Sequence, residues 1–149
     1  MLKRHYLRKL YLLALMPSIV FCARTMAEPH EGSSLYARLG GKPVVDAVVV
    51  QTVSQVAADP AVNQSFKGVN LNKLTAKISD HLCALTGGGC EYKGDNMKDA
   101  HAGLKISEKE FYTMVEALRI ALDGNGVGEG EKNELLRILA PMKRDVVTQ

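Results

Sequence analysis

With 149 residues, 46% of them apolar, the chain has material for one compact domain with a core and none for a second. The aromatic fraction is only 5% and Trp is absent, so the core must come from Leu, Val, Ile, Ala and Met, a composition that leans helical. The formal charge of +3 belongs to the first 27 residues: five of the 19 basic residues and none of the 16 acids lie there, so the rest carries −2 and offers no basic surface for nucleic acid or anionic lipid.

Lys3, Arg4, Arg8 and Lys9 precede an apolar run from Leu10 to Phe21, which ends in Cys-Ala-Arg-Thr-Met-Ala. This is the pattern of a secretory signal, with cleavage expected after Ala27. The run is shorter than the ~18 residues of a membrane span, so no stable anchor is expected after cleavage. Phe21 before Cys22 argues against a lipidated cysteine. Export is the expected fate, to the periplasm if the source is a Gram-negative bacterium. Residues 28–33 read as a flexible lead-in, and a domain is expected over residues 34–149.

Leu35 to Leu39 reads as a short helix stopped at Gly40-Gly41, with Pro43 suited to the first turn of the next. Residues 44–58 are rich in valine, which favours strands, but Val45, Val49, Val53 and Val56 recur at helical spacing over too long a stretch for an ordinary strand. Asp59-Pro60 ends that helix, and a turn-rich link carries Phe66. Asn70 caps a helix whose apolar stripe is Leu71, Leu74, Ile78, Leu82 and Leu85, stopped by Gly87-Gly88-Gly89. Cys83 and Cys90, seven positions apart, fit either a disulfide or two thiols near a helix end.

A loop through Tyr92 leads to a short helical stretch with Met97, Ala100, His101 and Leu104. Ser107 and Glu110 form a capping box for the helix of Phe111, Met114, Val115, Leu118 and Leu122. After a glycine-rich break, Leu135, Leu139, Met142 and Val146 share one face of a last helix that Pro141 should bend. The expected architecture is all-α, with five or six helices. No serine-hydrolase, zinc-protease, phosphate-loop or covalent-haem motif is present.

A lone histidine on an apolar face is ordinarily a packed core residue. The order of pieces is more specific: Ser34-Leu-Tyr-Ala-Arg-Leu-Gly-Gly41, Phe66, Gly87-Gly88, Tyr92-x-Gly94, Met97-x-x-Ala-His101, the step to Phe111, and Lys143-Arg-Asp145. Together these resemble the truncated, two-over-two haemoglobins, most closely group I, from Ser34 to about Val147. The resemblance implies a helical sandwich around a b-type haem, with His101 as the iron ligand and Phe66, Tyr92, Met97, Phe111, Met114 and Val115 against the porphyrin. It also implies that Lys73 reaches a propionate. On the distal side, where group I members commonly have a Tyr, the matching residue is Val53. Leu74, Lys77 and Ile78 match the positions facing the iron, with His81 one turn further. Lys77 stands where some members supply a second iron ligand; His81 or water are the alternatives. Some members bond a late-helix histidine to the haem, but residues 140–145 contain none, so non-covalent haem is expected.

The implied ligands are the diatomic gases oxygen, nitric oxide and carbon monoxide, with nitric oxide dioxygenation as the reactive form and a reductase of unknown identity to recycle the iron. A stably six-coordinate iron would instead suit electron transfer or redox sensing. A helical interaction domain without haem is the third reading.

Overall fold

The computed structural model describes residues 32–149. The expected signal segment, Cys22, His30 and most of the lead-in lie outside the described residues. Within them the chain is helical and contains no strand.

Helix α1 (Leu35–Arg38) is a single turn capped by the Ser34 side chain, and α2 (Gly41–Ala58) follows across Gly40. α2 adopts the helix that the valine spacing predicts. Its buried residues are Val45, Val48, Val49, Thr52, Val53 and Val56, and the Thr52 hydroxyl donates back to the Val48 carbonyl at 2.7 Å. A 3-10 turn at Asn63–Phe66 leads to α3 (Leu71–Leu85), where the Asn70 side chain accepts from the Lys73 N–H at 3.0 Å. α4 (Met97–Ala100) is again one turn, capped by Asn96. α5 (Glu108–Gly124) opens on the complete capping box: the Glu110 carboxylate accepts from Ser107 N–H and Oγ at 2.8 and 2.7 Å.

The expected single last helix is divided. α6 (Glu129–Leu139) passes into a 3-10 turn, Ala140–Met142, and then α7 (Lys143–Val146), because Pro141 has no N–H to continue the ladder. Counting this division and the single-turn α1 and α4, the described residues hold seven α-helical segments instead of five or six.

α2 is the central element and packs against both α3 and α5. On one side Val45, Val48, Leu39, Leu82, Leu122 and Leu135 close into a core with a residual void of only about 10 Å³. Ion pairs hold the surrounding helices to it. Arg38 of α1 reaches Glu131 and Glu134 of α6. Lys132, whose side chain is only 3% exposed, is neutralised by Asp123 of α5 and Glu129 at 2.5 and 2.6 Å, as a buried ammonium requires. At the other end Lys143 donates to Glu108 at 2.6 Å and to the Tyr112 hydroxyl at 2.9 Å, and the Thr148 N–H donates to the Ile106 carbonyl at 2.9 Å. These contacts pin the carboxy-terminal turn beneath α4, against which α7 packs.

Two substitutions separate local from tertiary stability. Ser107→Ala removes the cap and is expected to destabilise by about 1 kcal/mol. Leu135→Ala opens the packed side of α2 and is expected to destabilise by about 2–5 kcal/mol. Urea denaturation measures both, and equal losses would contradict this account of the core.

Candidate functional site

The side of α2 that carries Val49, Val53 and Val56 borders open space, although these valines are themselves buried. A cavity of about 550 Å³ lies there, within the roughly 300–1,000 Å³ typical of ligand and cofactor clefts. Val49, Val53 and Val56 of α2 line it, as do residues of α3, the 92–97 segment, α4, α5 and the carboxy-terminal turns. The same helix packs tightly on its other face, so the space is a built feature and not a loose core.

Of the residues singled out from the sequence, Phe66, Leu74, Lys77, Ile78, His81, Tyr92, Met97, His101, Phe111, Met114 and Val115 all line this one cavity. Lys73 does not: it is exposed on the outer side of α3, one helical turn from Lys77. Sequence reasoning did not single out the polar rim residues Ser65, Asp95 and Glu110. Of these, Glu110 was legible only as a cap, because its carboxylate is occupied by Ser107.

His101 ends α4 and lies partly buried in the cavity wall. Its Nδ1 is 2.7 Å from the Met97 carbonyl oxygen. A carbonyl can only accept, so Nδ1 carries the proton. That tautomer, when neutral, has its lone pair on Nε2, which has no hydrogen-bond partner among the described residues. A ring oriented by a backbone carbonyl through one nitrogen, with the other free, is the arrangement metal-binding histidines use. The donor set thus fits an iron porphyrin: one oriented imidazole in an otherwise apolar wall.

α3 lines the cavity with Leu74, Lys77, Ile78, His81 and Leu82, at helical spacing. Lys77 makes no hydrogen bond or ion pair among the described residues. His81 packs against the Tyr92 ring, centroids 4.4 Å apart and planes at 54°. Its Nε2 is buried with no hydrogen-bond partner, and burial holds its pKa below the ordinary histidine value. The Tyr92 hydroxyl donates to the Asp95 carbonyl at 3.0 Å, folding the ring back over Gly94. A Cβ at Gly94 would collide with that ring, which gives the Tyr92-x-Gly94 spacing its physical reason.

The bacterial-like globin family model matches residues 34–148. The chain belongs to that family, in its group I truncated branch. It is 31% identical to the group 1 truncated haemoglobin of Tetrahymena pyriformis over 118 residues, 79% of this chain and 98% of the relative. Against that of Mycolicibacterium paratuberculosis it is 32% identical, covering 79% and 87%. The solved Fe(III) form of the Tetrahymena pyriformis protein superposes with a TM-score of 0.74 at 30% identity, covering 78% of this chain and all of that one. A Synechococcus 2/2 haemoglobin, solved in the cyanomet state with covalently attached haem, gives 0.72 at 26% identity over the same shares. The described helices are therefore the two-over-two globin sandwich, and the family binds haem and diatomic gases.

In this globin the buried His81 nitrogen is a liability in the haem-free state, since an unpaired buried polar atom is costly. His81→Phe is expected to stabilise the haem-free protein by about 1 kcal/mol at about pH 7.5. Because the folded pKa lies below the unfolded one, the unfolded chain takes up the proton first, and wild-type stability falls as pH drops through about 6.5. The Phe variant should lack that component. Urea midpoints at about pH 7.5 and 5.5 measure both effects, and a destabilised His81→Phe would contradict them.

Proposed function

We propose that the cavity holds non-covalent haem b through His101 Nε2, with the Lys77 amine as the opposing ligand, and that the protein works on nitric oxide or redox signals and not in oxygen storage. The observation that carries this reading is the His101 Nδ1–H bond to the Met97 carbonyl, which leaves Nε2 as a lone-pair donor facing an apolar cavity. Bound haem would supply an iron centre for diatomic ligands.

The chain's own residues decide how such ligands fare. From α2 the cavity receives Val49, Val53 and Val56, and the one hydroxyl there, on Thr52, is committed to the Val48 carbonyl. No α2 side chain can therefore hold a polar gas by hydrogen bonding. Lys77 lines the cavity, is exposed to solvent and has no carboxylate partner among the described residues. As the neutral amine it competes with incoming gas, which lowers apparent affinity by the fraction of time the position is free. Weak, competed binding suits turnover or sensing better than storage, and a catalytic role, such as nitric oxide dioxygenation, requires a separate reductase.

The absence of histidine from residues 140–145 supports non-covalent attachment. Export to an oxidising compartment is supported by the pattern of residues 1–27 and by the Cys83–Cys90 bridge. The orphaned Nε2 supports one rival for the opposing position, His81.

Absorption spectra of ferric and ferrous protein test the assignment. His101→Ala is expected to lose haem; undiminished pigment would sink the proposal. Lys77→Ala is expected to convert a low-spin ferric spectrum to high-spin. A spectrum that stays low-spin in Lys77→Ala and turns high-spin in His81→Phe would transfer the role to His81.

A further inference from the structure

The bridge between Cys83 and Cys90, with Cα atoms 5.6 Å apart, lies beside the cavity in a specific way. Cys83 is two residues after His81 on α3, and Cys90 is two residues before Tyr92. The two residues in ring contact are thus each adjacent to one end of the disulfide.

Little else holds the Tyr92 segment. Among the described residues no main-chain N–H of residues 89–95 donates a hydrogen bond, and the two polar contacts in the segment, Tyr92 to the Asp95 carbonyl and Lys93 to Glu91, are internal to it. The end of α3, by contrast, is fixed independently of the bridge. The Tyr36 N–H donates to the Thr86 carbonyl at 2.8 Å, the Thr86 hydroxyl to the Leu82 carbonyl at 2.6 Å, and the Gly88 N–H to the Cys83 carbonyl at 2.8 Å. Opening the bridge therefore frees the segment and leaves α3 in place. The two residues also differ: Cys83 is 2% exposed, whereas Cys90 is exposed to solvent.

We propose that Cys83–Cys90 is a thiol–disulfide exchange site through which a dithiol reductant releases residues 89–95, lifts Tyr92 from His81 and opens this wall of the cavity. A thiolate of the reductant attacks Sγ of Cys90, the exposed residue of the pair. The S–S bond breaks, its electron pair leaves on Cys83 Sγ, and that sulfur takes a proton from water. The second thiolate of the reductant then attacks its own sulfur in the mixed disulfide and expels Cys90 as a thiolate, which is protonated in turn. Two electrons pass to the protein, which gains two thiols, and the dithiol becomes a disulfide. Reoxidation restores the seal. The glycines at 87–89 permit the movement, since Gly87 and Gly89 sit at φ of 80° and 77°, a region open to glycine without strain.

The full chain, isotope-labelled, is compared by NMR before and after dithiothreitol, with thiols counted. Reduction is expected to abolish the His81–Tyr92 ring contact and to drop the order parameters of residues 89–95 below about 0.6, with α5 and α6 unchanged. Cys90→Ser should reproduce this without reductant, and oxidised Tyr92→Ala should show the same His81 ring shifts. In chain loaded with haemin, Cys90→Ser is expected to release haem to an acceptor about tenfold faster than wild type. Retention of the ring contact and order after two thiols are counted would overturn the proposal, as would loss of order spread equally through α2 and α5, which marks a mere staple. An unaltered haem release rate would overturn the opening of the wall. A chain that takes up no haemin would sink the haem reading, while the ring contact would still decide this one.

Discussion

The constraint on which the rest depends is that one helix must close a core on one face and border a cavity with the other. α2 closes against Leu39, Leu122 and Leu135 with almost no residual void, and through Val49, Val53 and Val56 it borders about 550 Å³ of space. Apolar walls left facing water forfeit about 25 cal/mol for each Å² that a bound group would otherwise cover. Whatever fills the cavity is then coupled to folding, because it binds the native chain and not the unfolded one. The ion pairs around the packed side, Arg38 with Glu131 and Glu134 and Lys132 with Asp123 and Glu129, keep α1, α5 and α6 in place without help from the cavity's occupant.

Much of this was legible in the residue order, for reasons that differ by element. α5 announced itself through a capping box, α3 through Asn70 and an apolar stripe, and α2 through spacing that overrode the strand preference of its valines. The break at Pro141 was readable from the missing N–H. The cavity was not readable from periodicity, because Met114 and Val115 obey the same spacing whether they face a side chain or a porphyrin. Only the resemblance of ordered motifs separated the two.

Polar details were the least legible. Spacing left Cys83 and Cys90 open between bridge and free thiols, and the fold decides it by bringing their Cα atoms to 5.6 Å. Gly88 looked like a helix stop, yet its larger role is close approach: a Cβ there would stand 2.5 Å from Cys83 Sγ and 2.7 Å from the Tyr36 ring. The two described histidines read alike in sequence and differ sharply in structure. His101 has one nitrogen committed to a carbonyl, and His81 has a buried nitrogen with nothing to bond.

That asymmetry has a counterpart in the two walls of the cavity. The wall that orients His101 is tied down by α4, α7 and the Thr148 contact, and tolerates little change without losing the ring's orientation. The facing wall carries Val53, Lys77 without an ion pair among the described residues, and His81 under a tyrosine that is tethered through a disulfide. The apolar residues of α2 serve both walls, because they keep the core packed while offering no hydrogen bond that would commit the site to one ligand.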